Sequence, residues 1–262
     1  KKRQVGPYTF IDLMGPSTMG PHNYMDVDQH PHIGLSTLTY LFKGEIEHRD
    51  STGAVQRIGP GDIGFMTSGK GVTHTERTPS NLRNGPVFDI HGYQIWVALP
   101  KDLEEISPSF QFIKGSELPI KQENGLLLKV IAGSGFGLTS PLKVYSDQFM
   151  IEVYAERANQ LEIKGQVRGE IAIVVVTGQV ADKDNVIEAG QMLISKTEDE
   201  CFLDFHDNTR VLLFGGTPFP EERYLYWNFV SHSKDRLEQA KEDWRNKNFP
   251  KVPGDDTYIP LP

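Results

Sequence analysis

The chain has 262 residues, of which 38% are hydrophobic, and its 27 basic and 35 acidic side chains leave a formal charge of −8. That much apolar material can bury a sizeable core in one large domain or two smaller ones, and the acidic balance with no clustered Lys and Arg speaks against a sequence-independent grip on nucleic acid. No apolar run approaches a membrane span, no signal peptide is evident, and the single cysteine, Cys201, cannot close an intrachain disulfide, so a cytoplasmic protein is expected.

In chain order, the first informative stretch is His30-Pro31-His32. The fixed ring of Pro31 biases His30 toward extended backbone, which favours a strand. Leu35 to Phe42 is rich in strand formers, and after Lys43-Gly44 the run Glu45 to Arg49 completes a hairpin pattern. Turns follow at Asp50-Ser51-Thr52-Gly53 and Gly59-Pro60-Gly61-Asp62, with Ile63 to Met66 as a strand. The loop Ser68-Gly69-Lys70-Gly71 has neither the spacing nor the following helix of a phosphate-binding loop, and reads as a turn that delivers the chain to His74-Thr75-Glu76. Tyr93 to Leu99 is a further strand, then a polar, proline-bearing connection from Pro100 to Asn124 leads to Leu126 to Ala132.

From Pro141 the pattern begins again: Phe149, Ile151 and Val153 alternate with more polar neighbours, and Ile171 to Thr177 is a continuous apolar strand, with Gly178 and Gly190 at turns. Many short strands with no helix between them predict an all-β chain of closed or sandwiched antiparallel sheets. The expected division is an N-terminal domain over residues 1–132 and a C-terminal one over 133–262, the latter ending in a helix and an extended tail. That helix is predicted over Ser233 to Asn248, with Leu237, Ala240, Lys241 and Trp244 at three- and four-residue intervals, Ser233 as N-cap and Asp235 in the first turn.

Chemistry concentrates between His30 and Glu76. Residues two apart on a strand share a face, so His30 with His32 and His74 with Glu76 can converge from two neighbouring strands on one metal ion. Three imidazoles and a carboxylate suit iron, nickel, copper, manganese, cobalt or zinc, and leave open positions in an octahedral shell. The other candidates are bland. His48 and His91 read as hydrogen-bonded structural residues, His22 as a loop residue, Asp26 and Asp28 as solvated carboxylates, His206 as a lone structural histidine and Cys201 as inert. The region from Phe149 to Lys164, where a second His-x-His pair would be sought, holds no histidine.

The ordered set His30-Pro31-His32-Ile33-Gly34-Leu35-Ser36-Thr37-Leu38-Thr39-Tyr40, His48-Arg49-Asp50-Ser51-Thr52-Gly53, Pro60-Gly61-Asp62, Met66 to Gly71 and His74-Thr75-Glu76, then Gln94 to Pro100 and Trp227 to Ser231, resembles the pirin family of the cupin superfamily. The resemblance implies a bicupin of two antiparallel β-barrels, or jelly rolls, with one divalent metal per chain, iron expected, held in the N-terminal barrel by His30, His32, His74 and Glu76. The C-terminal barrel is expected to lack a metal site. Thr73 and Thr75 depart from the usual pirin pattern and are expected to alter only the polarity around the metal. Some pirins resemble quercetin 2,3-dioxygenases, which implies a metal-dependent oxidoreductase acting on a flavonol and dioxygen, with Glu76 completing the shell or accepting the substrate proton. The alternative is a non-catalytic, iron- or redox-responsive regulator that binds a protein partner. A monomer is expected.

Overall fold

A computed structural model describes residues 4–182, 185–196 and 202–262. Cys201 lies outside the described residues. The chain divides into two compact units, each discontinuous in sequence: one comprises Thr9–Ser116 with Pro220–Pro262, the other Glu117–Phe219 with the N-terminal stretch up to Tyr8. This moves the boundary expected at residues 132 and 133. Leu126 to Ala132 belongs with the strands that follow it, and the C-terminal helix and tail belong with the His30–Glu76 region.

The strands of the first unit are β1 (Tyr8–Met19), β2 (Asp26–His32), β3 (Leu35–Lys43), β4 (Ile46–Asp50), β5 (Val55–Ile58), β6 (Ile63–Thr67), β7 (Val72–Arg77), β8 (Phe88–Ala98) and β9 (Ser109–Ile113). They form two sheets, β1-β8-β3-β6-β9 and β2-β7-β4-β5. Leu41, Ile46, Ile58 and Ile90, drawn from both sheets, pack into one buried cluster with Phe110 against it. The sequence alternation is weak here because β3, β6 and β7 are buried almost throughout, on both faces. The loop Ser68 to Gly71 is a turn, as expected: Gly69 has φ +49°, and a side chain there would run into the Ile106 carbonyl.

The second unit holds β10 (Ile120–Glu123), β11 (Leu126–Gly135), β12 (Leu138–Thr139), β13 (Gln148–Ala155), β14 (Asn159–Glu162), β15 (Glu170–Thr177), β16 (Gln179–Asp182), β17 (Asn185–Glu188), β18 (Met192–Lys196), β19 (Phe202–Phe205) and β20 (Thr209–Gly216). Its sheets run β10-β11-β13-β20-β15-β18, with β12 beside β11, and β14-β19-β16-β17. Leu128, Ile151, Ile173 and Leu213 from the larger sheet meet Leu161, Val180, Ile187 and Leu203 from the smaller in one core. At about 1.5–3 kcal/mol per buried aliphatic side chain, that core is the main source of the unit's stability. In both units the sheets face each other as sandwiches and do not close into continuously hydrogen-bonded barrels.

The connection expected between Pro100 and Asn124 in fact contains β9 and β10. Every residue of β9 is half-buried, so its sequence shows no clean period. After β20 the chain returns to the first unit through the short hairpin of β21 (Tyr224–Tyr226) and β22 (Phe229–Ser231) and a helix, Lys234–Arg245. Ser233 caps the helix by accepting from the Arg236 amide, and Leu237, Ala240 and Trp244 form its buried stripe. They pack with Ile33, Phe229 and Phe249. The buried Glu104 carboxylate fastens the same segment, accepting from Ser231 Oγ (2.8 Å) and the His232 amide (2.9 Å) and pairing with Arg223 (3.0 Å). The tail is extended, as expected, and is also tied down: Gln29 donates to the Asp255 and Thr257 carbonyls and accepts from the Val252 amide. Among the described residues no helix is long and apolar enough to cross a membrane.

Candidate metal centre

β2 and β7 are antiparallel neighbours in which His30 lies opposite His74 and Val27 opposite Glu76. Between those pairs β2 carries one residue more than β7. This bulge re-aims the end of β2, so His30 and His32 are presented on the face that His74 and Glu76 share. β4 flanks β7 on the other side, setting His48 opposite Glu76 and Asp50 opposite His74.

His30, His32 and His74 come together, with ligand atoms all within 4.8 Å of one another. His32 Nε2 is 3.1 Å from His74 Nε2. Two nitrogens bound to one ion at about 2.1 Å each stand roughly 3.0–3.4 Å apart in octahedral or tetrahedral geometry, so this spacing suits a shared cation. His30 Nδ1 donates to the Asp28 carbonyl at 2.8 Å, which leaves Nε2 with its lone pair free to bind. Glu76 does not join that triad directly; it groups with His74 and His48. Its Oε1 accepts from the Gln94 amide, and Gln94 Oε1 in turn accepts from Trp96 Nε1 at 3.3 Å. Trp96 also packs edge-on against His32 at 5.1 Å between ring centroids. His32 and His74 have no exposed surface, while His30 and Glu76 each keep 6%, so the cluster is approached from their side.

The other candidates separate cleanly. His22 and His206 are exposed and His91 lies outside the cluster. Asp26 and Asp28 are not simply solvated: both pair with Arg77, and Asp26 also with Arg83. Thr73 and Thr75 stand on the face of β7 opposite His74, so they do not line the cluster; Thr75 faces a cleft shared with Arg77, Asp255 and Thr257. His48 is hydrogen-bonded, as read from the sequence, but it touches the site, with Nδ1 3.4 Å from His74 Nδ1. The signal for it was its place two residues before Asp50 on a strand, with no hint of which strand it would flank.

Burial pushes His30 down to about 4 and holds His32 and His74 well below the usual imidazole range, each lowered further by charge repulsion from neighbouring histidines. Burial pushes Glu76 up to about 7 against the hydrogen bond from Gln94, with repulsion from Asp12 adding to the rise. The histidines are therefore neutral and able to bind metal at neutral pH. For metal-free protein the signs oppose. Below the unfolded imidazole value of 6.5 the unfolded chain takes up protons that the folded cluster refuses, so stability is lost as pH falls from 6.5 through about 4. For Glu76 the folded carboxyl retains a proton that the unfolded chain releases, so stability is lost as pH rises from 4.5 to about 7. Three groups outweigh one, and the Tm of metal-free protein should fall on acidification from pH 6.5. In Glu76→Gln, which lacks the opposing contribution, the fall should be steeper; equal slopes in thermal melts of the two proteins would refute the titration assigned to Glu76.

Two antiparallel β-sandwiches, one carrying clustered imidazoles from adjacent strands between its sheets, define a bicupin. The Pirin profile matches residues 1–97 and the Pirin C-terminal cupin domain residues 150–250. A pirin-like protein of Caulobacter vibrioides is 42% identical over 99% of this chain and 90% of its own length. The chain belongs to the pirin family. Among solved structures, quercetin 2,3-dioxygenase from Acinetobacter baumannii superposes with a TM-score of 0.91 at 31% identity, covering 100% of this chain and 86% of that one. The Escherichia coli pirin YhhW, solved in complex with nickel(II), shares the fold with a TM-score of 0.65 at 22% identity, covering 83% of this chain and 85% of that one.

Proposed function

We propose that this chain is a metal-dependent dioxygenase that opens the heterocycle of a flavonol with dioxygen. The observation that carries the reading is the pairing of a buried three-histidine cluster with a carboxylate whose affinity for protons is raised into the neutral range, on a chain 31% identical to a protein described as a quercetin 2,3-dioxygenase. His30, His32 and His74 would hold one divalent transition metal, iron being the first candidate. When bound, the metal supplies a Lewis-acidic centre with positions left for small oxygen ligands.

The chain's own groups supply the rest. Glu76, pushed up to about 7, is matched to accept the 3-hydroxyl proton of a flavonol near neutral pH. Gln94 holds Oε1 and so orients the carboxylate, leaving Oε2 to take the proton. The site is buried and backed by Trp96, and exclusion of bulk water strengthens these polar contacts. Iron-loaded protein incubated aerobically with quercetin should consume flavonol absorbance and release carbon monoxide faster than free iron. Glu76→Gln should lower turnover by roughly 10²–10⁴-fold, the range for loss of a general base, while metal content is retained. Turnover by the wild type no faster than free iron would sink the enzyme reading and leave the metal-responsive, partner-binding one.

A further inference from the structure

We propose that Asp50, acting through His48, sets the tautomer of His74 and so serves as a positioning residue for the metal centre. The inference rests on the reading of His30, His32 and His74 as metal-binding residues.

The geometry forms a chain of three side chains. Asp50 Oδ2 stands 2.9 Å from His48 Nε2. Burial alone would raise the Asp50 carboxyl, but hydrogen bonds from His48 and Thr52 hold it below the usual range. A carboxylate has no proton to give, so His48 Nε2 carries the hydrogen, and with that as its single ring proton His48 keeps a lone pair on Nδ1. That lone pair faces His74 Nδ1 at 3.4 Å, so His74 donates from Nδ1 and keeps its own lone pair on Nε2. His74 Nε2 is the atom beside His32 Nε2. Both nitrogens of His48 are thereby used, which makes it a support for the cluster and not an additional ligand, although it lies close enough to be one. Its ring is clamped by a stacked contact with Phe110 at 4.4 Å between centroids.

The other carboxylate oxygen makes this arrangement hard to reverse. Asp50 Oδ1 accepts from the Thr52 amide (2.8 Å), the Thr52 hydroxyl (2.6 Å) and the Ala54 amide (3.3 Å). In Asp50→Asn the amide oxygen is therefore held at that end, because an NH₂ group there would face two backbone donors. The NH₂ group is left pointing at His48 Nε2, which must become an acceptor. His48 then carries its proton on Nδ1, facing the Nδ1–H of His74, and the two donors collide. His74 can escape only by moving its proton to Nε2 or by turning its ring, and either change removes a lone pair from the cluster.

Nitrogen-15 NMR of metal-free, histidine-labelled protein reads the tautomers directly. His48 protonated at Nε2 and His74 at Nδ1 are expected in the wild type, with His48 switching to Nδ1 in Asp50→Asn. Titration with Ni²⁺ against a chromophoric chelator should show affinity lowered about 10–100-fold in that variant, the usual effect of removing a partner behind a ligand. An Asp50 that merely closes the turn would move neither tautomer, since asparagine keeps the turn's hydrogen bonds. Wild-type His48 protonated at Nδ1, or Ni²⁺ affinity in Asp50→Asn within twofold of the wild type, would overturn the inference. Failure of the underlying metal reading is a separate result: the wild type would not bind Ni²⁺ at all, and the NMR of the metal-free wild type would still decide the tautomers.

Discussion

Replacing His74 with alanine should abolish stoichiometric metal binding while leaving the sheets folded. His74 is the shared member of both groups of potential ligands, so its loss leaves His30 and His32 on a single strand with nothing linking them to the pair His48 and Glu76. Removing a partner behind a ligand costs about 10–100-fold in affinity; removing a central ligand should cost more than about 100-fold, or at least roughly 3 kcal/mol. The strands do not depend on the ion for their pairing. β7 is flanked by both β2 and β4, and its sheet packs through Ile46 and Ile58 onto Leu41, Ile90 and Phe110. This is unlike a zinc finger, where metal binding supplies most of the folding free energy. His32→Ala should behave in the same way. Elemental analysis of purified variants, with circular dichroism as the check on folding, tests both; full metal occupancy in either would mean that the cluster is not the binding site.

Leu237→Asp should be the most damaging single substitution outside the cluster. Leu237 is 5% exposed and sits in an apolar and aromatic cluster with Ile33, Phe229, Trp244 and Phe249. Losing a buried leucine costs about 2–5 kcal/mol, and a desolvated carboxylate adds several more. The sum is comparable with the whole stability of a typical domain. Because the helix belongs to the unit that carries the histidine cluster and Ile33 follows His32 directly, metal content and thermal stability should fall together. Leu237→Met, which nearly conserves volume, should cost less than about 1.5 kcal/mol. Calorimetry with metal analysis on both variants would show it. Undiminished metal loading in Leu237→Asp together with loss of the helical signal would instead show that the helix is dispensable to the centre.

Strands in both units were legible because their residues are strongly biased. Leu35 to Phe42, Ile63 to Met66 and Ile171 to Thr177 are runs of strand formers set off by glycine-bearing turns, and all three are strands. The helix was legible from its cap and three- and four-residue spacing, and the structure reproduces both. β9 was not legible, because a strand half-buried along its whole length carries neither an alternating nor a continuous apolar pattern. The domain boundary was misplaced for a related reason. Proximity along the chain is a fair guide to proximity in space, but here the chain crosses between units at Tyr8, near Glu117 and again at Pro220, and no composition shift marks those crossings.

By itself, then, the sequence determined that the chain is built of strands, that it ends in an amphipathic helix, and that His30, His32, His74 and Glu76 are the residues to watch, since i, i+2 parity is a local property of any strand. Tertiary structure alone decided which of them meet. The bulge in β2 and its pairing with β7 set three imidazoles within reach of one ion and left Glu76 beside His74 and His48, held by Gln94. The placement of β4 on the other flank of β7 turned His48 and Asp50 into neighbours of His74. Register between strands is set by how the buried faces of whole sheets fit together, so the partners of a ligand emerge only when the sheets are packed.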